Sequence, residues 1–103
     1  MVLDEPASFP GGMEAMKTYM VKNLRYPETL KETGISGKVF VKFVVSEKGE
    51  LSNVQVMKGL SGCKECDMEV VRVVKGMPKW IPGKDKGKAV KSYYNLPVMF
   101  SAQ

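Results

Sequence analysis

The chain has 103 residues, enough for one domain, with 16 Lys and Arg against 11 Asp and Glu for a net charge of +5. Its 44% apolar and 26% charged residues suit a folded globular domain rather than a disordered tail, and no run nears the ~18 apolar residues of a membrane span. It has no His, which excludes imidazole bases, Ser-His or Cys-His nucleophile pairs and His metal ligands, and its two Cys cannot close a four-thiolate zinc site within one chain. What remains is a binding module, a thiol redox protein, or an acid/base enzyme built on carboxylates and Lys. No basic-then-apolar leader opens the chain, so an export signal or anchor is expected outside it.

Residues 1–9 carry no periodic signal and read as a lead-in arm to a domain over 10–103. Pro10-Gly11-Gly12 is a breaker cluster. Met13, Met16, Met20 and Leu24 then recur at steps of three and four, the stripe of an amphipathic helix. Pro27 disfavours helical geometry at Tyr26, so this helix is expected to stop near Arg25. Residues 28–33 make a short second helical turn that Gly34 closes. From Gly37 the period becomes two: Val39, Val41, Phe43 and Val45 share one face of a strand, Lys38, Phe40, Lys42 and Val44 the other. Both faces are apolar enough for a central strand. Glu47-Lys48-Gly49-Glu50 reads as a hairpin turn, and 51–57 as its second strand with Val54 and Val56 inward.

After a loop at 59–62, Cys66, Val70, Val73, Val74 and Met77 mark a second amphipathic helix, which Gly76 and Pro78 end. Trp80 reads as a core plug, and Lys84, Lys86 and Lys88 as a solvated loop. The last strand is expected over 89–100. The order helix, strand, strand, helix, strand, with a short hairpin and one helical crossover, predicts an α+β two-layer sandwich. Its three-stranded antiparallel sheet has the order 2-1-3 and two helices on one face. Pro97 cannot donate to a ladder, so its strand belongs at a sheet edge. An open edge of that length is a template for another chain, consistent with recognition of a peptide by strand addition.

Tyr26-Pro27, GISGKVFVKFVVSEKGELSNVQV at 34–56, CDMEVVRVVKGMPKWIPG at 66–83 and LPVMF at 96–100 occur in an order that resembles the TonB C-terminal domain family. FPGG at 9–12 and MPKWIPG look like the versions common in Bacteroidetes. The resemblance implies a periplasmic domain without enzymatic activity or cofactor. It also implies an inner-membrane anchor helix and a Pro-rich linker outside this chain, energised by ExbB–ExbD. The partner would be the TonB box, an extended segment of outer-membrane transporters, bound along 89–96. The residues expected to meet it are Val90, Lys91, Ser92, Tyr93, Tyr94, Asn95 and Leu96, with Lys31 near the strand's start. An isolated domain of this kind has the option of a strand-swapped homodimer.

Other readings stay open beside this one. Cys63-Lys64-Glu65-Cys66 at a helix N-terminus is compatible with a redox-active pair, a structural disulfide between Cys63 and Cys66, idle buried thiols, or a zinc site shared between two chains. Thioredoxin-like catalysis would need a parallel βαβ context that the pattern lacks. In the resembled family a Cys is common at the position of Cys66, and Cys63 is an extra. A TonB-like domain serving a signalling or envelope partner is a further alternative. The Lys84–Lys88–Lys91 cluster includes no Arg and is interrupted by Asp85, so no nucleic-acid partner is assigned. The Met stripe is expected to be core, and Glu47, Glu50, Glu65 and Glu69 surface charge.

Overall fold

The computed structural model describes residues 3–101. Met1, Val2, Ala102 and Gln103, the ends of the expected arm and domain, lie outside the described residues. The chain runs α1 (Gly12–Asn23), α2 (Glu28–Thr33), β1 (Gly37–Val45), β2 (Leu51–Lys58), α3 (Lys64–Lys75), β3 (Gly83–Asp85), β4 (Lys88–Val90) and β5 (Ser92–Phe100).

The period-two pattern of β1 decides the architecture. Val39, Val41, Phe43 and Val45 are all at most 1% exposed, so this strand must be flanked by neighbours and covered on one face. It is the centre of an antiparallel sheet with the order β2-β1-β5, as expected. The β1–β5 register runs from Gly37 opposite Phe100 to Val45 opposite Ser92 without a shift. The β1–β2 pairing is less regular, with an irregularity between Lys42 and Val44 opposite Asn53, which takes a positive φ of 50°. One core gathers the inward face of the sheet, Met16 of α1, Leu30 of α2, and Cys66, Val70 and Val74 of α3. The valines of α3 each sacrifice about 0.5 kcal/mol of helix propensity. Complete burial of Val70, Val73 and Val74 returns about 1.5–3 kcal/mol per side chain, so packing wins.

Trp80 is 3% exposed and plugs the sheet end, edge-on to Phe43 at 5.2 Å, Tyr94 at 4.7 Å and Phe9 at 6.0 Å. Its backbone N–H donates to the Gly49 carbonyl at 2.8 Å, so the β1–β2 hairpin turn carries the segment after α3.

The last strand differs from the expected 89–100. Lys86 and Gly87, with φ of 53° and 77°, turn the chain between β3 and β4. Val90 thereby pairs with Gly83 in a separate two-stranded sheet, and Lys91 separates it from β5. The lead-in arm is also tied down. Glu5 exchanges two backbone hydrogen bonds with Lys84 (3.1 and 2.8 Å), and Ser8 two with Ile81 (3.0 and 2.8 Å). Between and after them Ala7 and Phe9 are buried. Cys63 and Cys66 form a disulfide across the first turn of α3, and both are fully buried.

Gly49 has a φ of 83°, and a Cβ there would run into the Trp80 carbonyl. Gly49→Ala is therefore expected to destabilise the domain by about 2–3 kcal/mol, left-handed strain and the displaced Trp80 segment together. Urea unfolding monitored by Trp80 fluorescence checks this, and a loss below about 0.5 kcal/mol would contradict the docking role.

Candidate functional site

The site is built on β5. One side of this strand is bonded to β1, and among the described residues no strand pairs with the other. Pro97 fixes which groups face outward. It sits opposite Phe40 and has no N–H, so that pair belongs to the non-hydrogen-bonded class. Because the register is unbroken, the same class holds at every second residue. Tyr93, Asn95 and Met99 therefore turn both N–H and C=O toward the open edge, and Pro97 its C=O. Ser92, Tyr94, Leu96, Val98 and Phe100 spend theirs on β1. Three donors and four acceptors line the free margin of one strand.

Side chains follow the same alternation. Tyr93, Asn95, Pro97 and Met99 stand exposed on the uncovered face, while Leu96, Val98 and Phe100 are buried and Tyr94 half-buried beneath the sheet. The Lys42 ammonium lies 4.6 Å from the Tyr93 ring centroid, a cation–π contact that steadies the ring across the β1–β5 pair. Ser92 through Leu96 thus stand together on the edge strand. Val90 and Lys91 do not: the first is committed to β3 and the second is the break between strands. Lys31 stands on α2 beside Glu28 at 3.7 Å. The strand that follows α2 begins opposite Phe100, the end of β5 away from Ser92.

Sequence reasoning missed a groove beneath this edge. It has a volume of about 570 Å³ and runs between α1 and β5, with Tyr94 and residues 96–99 on the strand side. The helix side presents Met13, Met16, Lys17, Met20, Val21 and Leu24. Of the expected Met core only Met16 is buried, whereas Met13 is 59% exposed. Helical spacing says that one face is apolar but not what covers it. The available signal was Val21, an apolar residue that the Met stripe does not need.

The helix wall is held by polar ties to α3, and here the surface-charge reading of Glu69 is corrected, while Glu65 is exposed as expected. Arg72 donates to the Glu69 carboxylate at 2.7 and 2.8 Å and to the Asn23 carbonyl at 2.8 Å, while the Arg25 N–H donates to Glu69 at 2.6 Å. The Arg72 hydrogen bond chiefly holds the Glu69 carboxyl below its ordinary range, against the opposing effect of burial. Glu65 accepts from the Thr29 hydroxyl at 2.6 Å, which lowers its pKa likewise and ties α2 to α3. Tyr19 donates to the Val73 carbonyl at 2.8 Å, and burial raises its phenol.

The arrangement offers strand pairing beside an apolar recess. Both cysteines are fully buried, so thiol exchange would require the first turn of α3 to open. The profile of the family described as Gram-negative bacterial TonB protein C-terminal matches residues 22–102. The chain belongs to the TonB C-terminal family. No curated protein sequence matches it. Two solution structures of the Helicobacter pylori TonB C-terminal domain share its fold. That of residues 194–285 is 19% identical with a TM-score of 0.64, covering 86% of this chain and 91% of that one. That of residues 179–285 is 18% identical with a TM-score of 0.63, covering 88% and 80%. The family is periplasmic in Gram-negative bacteria. In this TonB-type domain α1 lies almost entirely before the matched region.

Glu69→Gln is expected to cost about 1 kcal/mol at neutral pH, the charged hydrogen bonds being discounted for the half-exposed Arg72. Since the folded-state pKa of Glu69 is lowered, its contribution is complete above the ordinary value of 4.5 and drains as pH falls through the lowered one. Urea unfolding of both proteins across pH 2–7 checks this. The difference is expected to vanish at the acid end, and a gap that persists there would contradict the ion-pair origin.

Proposed function

We propose that this TonB-type domain binds the TonB box of outer-membrane transporters by adding it as a strand to the open edge of β5. In this reading it is a mechanical adaptor with no enzymatic activity and no cofactor. An N-terminal helix outside the chain anchors it to the inner membrane, and the domain passes on proton-motive-force-derived energy from ExbB–ExbD. The observation that carries the reading is the outward set of backbone groups at Tyr93, Asn95, Pro97 and Met99, with the expected contacts narrowed to Ser92, Tyr93, Tyr94, Asn95 and Leu96.

The magnitudes suit a reversible grip. A five- or six-residue added strand makes about 4–6 backbone hydrogen bonds worth ~0.5–1.5 kcal/mol each. After the cost of association, affinity falls at roughly micromolar or weaker. Bonds pulled along the strand share load, so a weak equilibrium grip is compatible with transmitting force. The same edge offers a second copy of the domain a place to pair, which would compete with the transporter.

Proline at position 93 tests the geometry, because that N–H points outward and β1 does not use it. Tyr93→Pro is expected to weaken a TonB-box peptide by about tenfold or more while leaving the melting temperature within a few degrees. Titration calorimetry with the wild-type chain as reference checks this. Undiminished affinity in a folded variant would contradict strand addition at β5.

A further inference from the structure

The arm that precedes α1 is fastened lightly and at defined points. Among the described residues its backbone is held by two bonded pairs, Glu5 with Lys84 and Ser8 with Ile81, and the Asp4 carboxylate accepts the Lys86 N–H at 2.6 Å. Phe9 ends the arm as a buried ring, and Pro10-Gly11-Gly12 follows as a hinge, with φ of 87° and 84° at its two glycines. Beyond the hinge, α1 is tied to α3 through the Tyr19 hydroxyl on the Val73 carbonyl and the Arg72 guanidinium on the Asn23 carbonyl. Detachment that begins at the N-terminal end therefore stops at the hinge, so the arm can leave while the helix stays.

Two meeting points connect this arm to β5. Phe9 stands edge-on to Trp80 at 6.0 Å, and Trp80 stands edge-on to Tyr94 at 4.7 Å, so the Tyr94 ring is backed by a stack that ends on the arm. The second point is Gly83. A Cβ there would lie 2.8 Å from the Leu3 side chain and 3.3 Å from the Glu5 carbonyl, both on the arm, and 3.1 Å from the Ser92 hydroxyl at the start of β5. Arm and strand thus close on the same glycine. Ser92 and Tyr94 spend their backbone groups on β1 and flank Tyr93, which turns its own outward, so the arm supports the two residues that seat an outward-facing one.

Resting on the reading of β5 as a strand acceptor that is pulled from the N-terminal side, we propose that residues 3–9 are a tension-released strap that sets the grip of β5. Docked, the strap backs Trp80 and holds β5 at full affinity. Pulled, it peels from 81–84 at a lower force than unfolds the domain, because its two bonded pairs yield before the nine register pairs between β1 and β5. Trp80 and Tyr94 then lose their backing and the partner segment leaves more readily, which limits the load the domain can deliver. The coupling is reciprocal: a bound partner strengthens the docking of the strap by the same factor.

The test uses the whole chain and a capped peptide spanning a TonB box. Ser8→Pro removes one donor of the strap and no core side chain, and Phe9→Ala removes its buried ring. Each is expected to weaken the peptide about fivefold in titration calorimetry, the low end of coupling between linked sites; Ser8→Pro carries the test where Phe9→Ala does not fold. In the unaltered chain, saturating peptide is expected to slow amide exchange at Glu5, Ser8 and Ile81 about fivefold. In optical tweezers with handles at the two chain ends, the wild type is expected to lengthen reversibly by roughly 2 nm before it unfolds, the extended span of residues 3–9. Oxidised Glu5→Cys/Lys84→Cys, a pair about 5.5 Å apart and within disulfide reach, locks the strap and is expected to lack that step. Strap variants that bind like the wild type, in an assay where Tyr93→Pro still weakens binding, would overturn the strap and leave strand addition standing, as would a first step that survives the lock. Peptide binding indifferent to Tyr93→Pro would overturn strand addition itself, and the proposal with it.

Discussion

The structure depends on β5 being held from one side only. Nine residue pairs in unbroken register fasten it to β1, and its buried row of Leu96, Val98 and Phe100 anchors it to the core. That leaves the outer margin free to be polar, straight and unpaired without endangering the fold. Pro97 enforces the division of labour: a residue without an N–H is tolerated only where β1 asks for none. The proline that weakens an edge strand as a ladder member also fixes which of its neighbours face outward.

Around this strand two further features are fastened in place. The arm at Glu5 and Ser8 zips onto the segment of Ile81 and Lys84, closing over Trp80. It thereby keeps to the small sheet and stays off the free margin of β5. Helix α1 is fixed to α3 through Asn23, Arg72 and Glu69 and roofs the recess under the edge. Backbone pairing is indifferent to partner sequence, so partner choice falls to side chains.

Much of this was legible in the residues. Alternation in 37–45 identified the central strand, Gly49 the hairpin, and Pro97 the edge, because each expresses a local steric or periodic rule. The split of the last strand was not legible. Lys86-Gly87 is a turn signal, but whether Ala89 and Val90 continue into β5 or fold back on Gly83 depends on a pairing choice that local propensity does not decide. The arm escaped for a similar reason: its bonds, mostly backbone to backbone, reach across more than seventy residues. Glu69 looked like solvated charge because one of its donors, the Arg25 N–H, comes from 44 residues away. The Met stripe announced an apolar face, and only the tertiary arrangement showed that Met16 is buried and Met20 and Leu24 partly so, while Met13 stands exposed beside an open groove.

Amide hydrogen exchange, read residue by residue along β5 in the free domain and with a bound TonB-box peptide, addresses the central claim most directly. The account expects Tyr93, Asn95 and Met99 to exchange rapidly in the free monomer, between slowly exchanging Tyr94, Leu96 and Val98. The peptide should slow the first set and leave the second unchanged. Protection of Tyr93 and Asn95 already present in the free monomer, or exchange at those amides that the bound peptide leaves untouched, would contradict it.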